Sequence, residues 1–217
     1  MQISIREPGS AITHLIAMLM TLGSAIPLLL KATPYGVKYM LAMFIFITSM
    51  VLLYGASATY HSVTFAPNII KKFRKVDHMM IFILIAGSYT PVCLIVLQPK
   101  WGYPLLILVW SLALVGILVK ALWITCPKWF SSVIYIAMGW LCILVFGPIV
   151  KTLPLNAFLW LLIGGIIYTI GGVIYALKLP IFNSKHSNFG SHEIFHLFIM
   201  GGSFCHFIFM YNYVIIM

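Results

Sequence analysis

The sequence predicts an all-α integral membrane protein, a bundle of seven transmembrane helices, and three observations carry that prediction. Of 217 residues, 63% are hydrophobic and only 7% charged, whereas an ordinary soluble domain is about half apolar and about a quarter charged. Seven apolar stretches are long enough to cross a bilayer core of about 30 Å. The connectors between them are short, rich in Pro, Gly, Lys and Trp, and leave no room for an independent soluble unit. Such an inventory cannot build a water-facing surface, and in hydrocarbon each span must satisfy its own backbone as a helix. Residues 1–217 therefore read as a single domain.

The spans run from Ile12 to Leu30, Tyr39 to Tyr60, Val76 to Leu97, Pro104 to Trp123, Phe130 to Val150, Ala157 to Leu177 and His192 to Val214. The first follows Arg6, and Gly23-Ser24-Ala25 faintly resembles a cleavage site. Its apolar run is longer than the signal core of about 7–15 residues, so it is expected to stay attached. Pro91 in the third span and Pro148 near the end of the fifth should kink their helices and free a backbone carbonyl. Gly164-Gly165 and Gly171-Gly172 in the sixth are small residues at helix-packing spacing. Cys93, Cys126, Cys142 and Cys205 show no C-x-x-C spacing, which indicates neither a disulfide framework nor a thiolate metal site.

The formal net charge of +10 does not point to nucleic acid, because the thirteen Lys and Arg are scattered through loops flanking the spans. Arg6, Lys71, Lys72, Arg74, Lys75, Lys120, Lys128, Lys178 and Lys185 fall on the amino-terminal side, against Lys31, Lys38, Lys100 and Lys151 opposite. By the positive-inside rule the N-terminus is cytoplasmic and, with seven spans, the C-terminus is outside. In the second loop, Ser62 to Lys75, Phe65, Ile69, Ile70 and Phe73 lie among basic residues. It is either a segment along the anionic leaflet or a plain positive-inside loop.

Ionisable groups inside spans cost about 2.5–3.5 kcal/mol each at the helix centre, so their positions point to function. The three acids, Glu7, Asp77 and Glu193, all fall at cytoplasmic span ends in this topology. His61 ends the second span, Asp77 and His78 open the third, and His192, Glu193 and His196 open the seventh. His192 and His196, four residues apart, share a helix face and can chelate one ion. His61 can add a third nitrogen, leaving a fourth position for water, the layout of a catalytic zinc site. Ser57, one turn deeper than His61, is placed to hydrogen-bond that water, and Asp77 to hold or deprotonate it. An H-x-x-x-H pair alone is also met by histidines that snorkel or bond across helices. The third histidine and the aspartate at one depth favour metal, zinc first, then iron or copper.

The remaining histidines read more plainly. His14 suits a helix-packing hydrogen bond or a contact behind the ligands, and His206, about 15 Å further along the helix than His196, a polar contact between helices. His78 should point about 100° away from Asp77. Glu193 and His186 should face water.

Ser57-Ala58-Thr59-Tyr60-His61, Val76-Asp77-His78 with Ala86-Gly87-Ser88-Tyr89-Thr90-Pro91, Ser191-His192-Glu193-Ile194-Phe195-His196 and Phe204-Cys205-His206-Phe207 occur in this order. Together they resemble the bacterial hemolysin III family, the prokaryotic branch of the progestin and adiponectin receptor superfamily. The resemblance implies seven spans, a cytoplasmic N-terminus, and zinc held by His61, His192 and His196 with Asp77 and Ser57 around its water. The amino-terminal motif E-x-x-N-x-x-T-H of bacterial members is met by Glu7, Thr13 and His14, with Ser10 in place of asparagine. The superfamily is similar to alkaline ceramidases. That implies a zinc-dependent hydrolase of lipid amide or ester bonds acting in membrane lipid homeostasis, its partners being membrane lipids and its location the bacterial inner membrane. The alternatives are a cytolysin, as the family name suggests, and a receptor or sensor with structural zinc. A wetted pore would need a polar lining that these spans lack.

Overall fold

A computed structural model of the chain describes residues 5–177 and 190–217. Among them there is no strand, and seven helices are long and apolar enough to cross a membrane. The expectations for Lys178, Lys185 and His186 fall outside the described residues.

Helix α1 (Pro8–Ala32) starts with a proline whose missing N–H is no loss at a helix start. Between α1 and α2 (Val37–Ser62), Gly36 adopts φ +97, a conformation that lets the chain reverse and that a side chain would strain. Helix α3 (Pro67–Pro91) again opens on proline. It takes in the whole segment from Pro67 to Lys75, so most of the expected second loop is the start of the third span and only residues 63–66 link it to α2. No glycine or proline follows Asn68 until the span is under way, so nothing stops the helix short of the basic residues. Phe65 and Phe73 stack at 6.2 Å across this corner.

Proline breaks the ladder where the sequence places it. Pro91 lacks the N–H that would bond back to Gly87, and a π-helical turn, Val92–Val96, follows it. After α4 (Pro99–Leu122), the fifth span is α5 (Lys128–Gly139), a 3₁₀ stretch (Trp140–Val145) and α6 (Phe146–Thr152). In an unbroken α-helix the ring of Pro148 would collide with the carbonyl four residues back, and the 3₁₀ stretch lies just ahead of it. Tyr89 patches the break: its hydroxyl donates to the Gly139 carbonyl at 2.6 Å and accepts the Cys142 N–H at 2.9 Å. Helices α7 (Leu155–Leu177) and α8 (Ser191–Asn212) complete the bundle.

Helix α2 packs between α1 and α3, α7 packs between α5 and α8, and α8 also meets α1. This ring leaves a space bordered by α3, α5, α7 and α8, and α4 lies outside it against α3. Gly164 and Gly171 bring α7 close to α8, facing His206 and Phe198, whereas Gly172 faces Ile136 of α5 and Gly165 has no neighbour within 4 Å. Tyr54 donates to Ser203 at 2.6 Å and Tyr168 meets the same hydroxyl at 2.8 Å, tying α2, α7 and α8 together. Phe46, Phe82 and Phe209 are fully buried, while Ile26, Leu30, Ile107, Leu118 and Leu144 point outward. Such an apolar exterior suits lipid and not water. All four cysteines are free thiols.

Candidate metal centre

The end of α2 and the start of α8 meet beside the start of α1, on the side of the bundle that carries the amino terminus. His61 lies in the last turn of α2, and His192 and His196 in the first turns of α8. One ring nitrogen from each lies within 4.8 Å of the others. The ring centroids form a nearly equilateral triangle, 5.0 Å from His61 to His192, 4.5 Å from His192 to His196 and 5.2 Å from His61 to His196. The Nε2 atoms of His61 and His192 are 3.2 Å apart. Two imidazoles bound to one tetrahedral zinc at about 2.0–2.1 Å would stand about 3.3 Å apart. A hydrogen bond between two rings would also fit that pair, but the third imidazole, His196, converges on the same point and is 2% exposed.

The outer nitrogens of two of the three imidazoles have partners. The Glu7 carboxylate meets His61 Nδ1, and Thr13 Oγ1 lies 3.3 Å from His196 Nδ1. Hydrogen bonding to His61 holds the Glu7 carboxyl below its ordinary pKa, outweighing partial burial, so it is a carboxylate that accepts from a ring N–H. Such contacts orient metal-binding imidazoles and raise their basicity. Neutral nitrogen donors with a carboxylate behind one of them fit a divalent transition ion, and the residues present can hold one.

Asp77 and Ser57 line the same cavity as His192 and His196. Ser57 is 1% exposed and its Oγ has no partner among the described residues. Asp77 Oδ2 lies 3.0 Å from His78 Nδ1, so His78 does not point away from it as the helical offset predicts: both side chains are long enough to meet beside the helix. The cavity, about 240 Å³, runs from these residues past Trp140, Phe146 and Phe158 with an almost wholly apolar lining. Asp77 and Val92 both border it, and fifteen residues of helix at about 1.5 Å each set them about 22 Å apart.

Several sequence expectations need correction here. His14 makes no hydrogen bond among the described residues, where both its ring nitrogens are buried without a partner; it stacks instead behind a candidate ligand, on His196 at 3.6 Å and 8°. Glu193 is not simply solvated, since it accepts the Gly190 N–H at 2.8 Å at the start of α8 and the Ser10 hydroxyl at 2.5 Å. His206 does make an inter-helix polar contact, Nε2 to the Leu161 carbonyl at 3.4 Å. Glu7 is legible as one of three acids at a span end and Thr13 only as part of a motif, but neither spacing names a histidine partner. Their signal was polar residues three apart, Glu7, Ser10 and Thr13, at the head of an otherwise apolar span.

The family model described as "Haemolysin-III related" matches residues 3–207. The chain belongs to the haemolysin-III-related family. It is 36% identical over 198 residues to "Hemolysin-3" of Bacillus cereus, covering 91% of this chain and 86% of that one. With "Hemolysin-3 homolog" of Bacillus subtilis (strain 168) it shares 37% identity over 202 residues, 91% and 89% of the two chains. A more distant likeness, 26% over 183 residues, links 75% of this chain to 41% of "Progestin and adipoQ receptor-like protein 1" of Caenorhabditis elegans. With its seven apolar helices and bacterial relatives, this haemolysin-III-related chain is an integral protein of the bacterial plasma membrane.

Proposed function

We propose that this haemolysin-III-related protein is a zinc-dependent hydrolase of lipid amide or ester bonds, with its site at the cytoplasmic face. The observation that carries the reading is the junction of two unlike features. A metal-capable histidine cluster, with a buried carboxylate and an unpartnered hydroxyl, sits at the polar head of an apolar cavity about 22 Å long. A zinc ion there would polarise a carbonyl oxygen and make water nucleophilic near neutral pH.

The chain's own residues supply the rest. The apolar walls take up an acyl chain and exclude bulk water, leaving the amide or ester at the histidine end. Asp77 accepts a proton from the attacking water, and general-base assistance of this kind is worth about 10²–10⁴-fold. The Ser57 hydroxyl donates a hydrogen bond to an oxygen beside it. A long acyl chain enters from the membrane, so the substrate is a membrane lipid. The mostly apolar lining of the cavity favours an acyl chain over a column of water.

Purified protein given ceramides and other acyl lipids is expected to release fatty acid, to stop when chelated, and to lose about 10²–10⁴-fold in kcat for Asp77→Ala. Zinc-dependent thermal stability with no fatty acid release, and no effect of Asp77→Ala, would instead make the ion a structural clamp.

A further inference from the structure

The first helix contributes none of the three imidazoles, yet it touches the residues that hold all of them. Glu7 meets His61 twice, through its carboxylate on Nδ1 and through its backbone N–H, which donates to the His61 carbonyl at 3.0 Å. The Ser10 hydroxyl donates to Glu193 Oε1 at 2.5 Å, and Glu193 Oε2 accepts the Gly190 N–H at 2.8 Å, fixing the first turn of α8, which carries His192. The Thr13 hydroxyl gives its proton to the Gly9 and Ser10 carbonyls, each at 3.0 Å. With that proton directed at either carbonyl, its oxygen is free to accept from His196 Nδ1 at 3.3 Å.

Glu7 stands just ahead of Pro8, and Ser10 and Thr13 lie about 60° apart on the first turns of α1, so the three side chains spread around the head of that helix. That spread is wide enough to meet α2 on one side and α8 on the other. Polar residues here are not explained by entry into the membrane, since Ile12, Leu15, Ile16 and Leu19 face outward along the same turns.

We infer that Glu7, Ser10 and Thr13 are positioning residues that set the tautomer and direction of the imidazoles, holding hydrogen on the Nδ1 atoms of His61 and His196 so that both Nε2 lone pairs face one point. This rests on the metal reading above. A packing role alone would lower stability without altering the coordination of a bound ion.

Full-length protein in detergent, loaded with Co²⁺ and separately titrated with zinc against a competing chelator, separates the two. Glu7→Ala and Thr13→Val are expected to weaken zinc about 10–100-fold, the range for partners behind metal ligands, and to shift the visible Co²⁺ bands. Thr13→Ser, which keeps the accepting oxygen, should restore both, and Glu7→Gln should fall between wild type and Glu7→Ala while eluting as wild type by size exclusion. If these variants bind zinc like wild type with unmoved Co²⁺ bands, the inference is wrong while the metal centre stands. If wild-type protein takes up neither ion, both fall.

Discussion

Lys120 is a buried lysine without a carboxylate to pair with. It is 2% exposed, and its Nζ lies 2.5 Å from Ser131 Oγ and 3.1 Å from Cys126 Sγ. The chain's three acids are engaged elsewhere, Glu7 with His61, Asp77 with His78 and Glu193 with Ser10. Burial pushes the Cys126 thiol up, but contacts with Ser131 and Lys120 outweigh it and leave the thiol below its ordinary pKa. A lowered thiol pKa means thiolate, and alkylation, at lower pH. Replacing the cation, Lys120→Met, should move the pH profile of Cys126 alkylation, read by mass spectrometry, upward by about one unit; an unmoved profile would show that the lysine does not govern the thiol. Charge counting on the sequence alone treats Lys120 as a marker of topology. Its distance to Cys126 depends on how the chain turns between α4 and α5, which residue types do not specify.

At the scale of the helix, the two weak points of the bundle are the close contact of α7 with α8 and the broken ladder of the fifth span. A Cβ on Gly164 would stand 2.4 Å from His206 Cδ2, too close without movement. Gly164→Ala is therefore expected to cost about 1–3 kcal/mol in unfolding free energy, as overpacking does, whereas Gly165→Ala, with open space around it, should be near neutral. Tyr89→Phe leaves the Gly139 carbonyl and the Cys142 N–H without their partner in a lipid-embedded helix. A loss of about 1–3 kcal/mol in denaturant titration is the expected result. The seven spans and both proline breaks were legible because apolar length and a missing N–H act locally. The start of α3 was not, because hydropathy ends a span at its first charges while a helix ends only where its backbone is stopped. Lys71, Lys72, Arg74 and Lys75 extend that helix beyond its apolar stretch, reaching toward water.

For the whole molecule, the three acids, the histidine cluster and the head of the cavity gather at the end of the bundle where the chain begins. The costly residues were legible because a membrane tolerates an ionisable group only where it is paired or used. What held them was less so: Glu193 as the partner of Ser10, and His14 stacked on His196, follow from the meeting of α1 with α8, which no spacing within one helix encodes. The excess of Lys and Arg at this end predicts that it faces the cytoplasm. A cysteine at Asn68, beside the basic residues of α3, should react with a membrane-impermeant maleimide only after cells are opened, and labelling of intact cells would invert the topology. The most direct test of the centre itself is metal analysis of protein extracted gently from its membrane. Wild type is expected to carry about one zinc per chain, and His61→Ala and His196→Ala each to lose it while still eluting as folded protein. Wild type free of metal, or histidine variants that keep it in full, would contradict a metal centre built from the second and last helices.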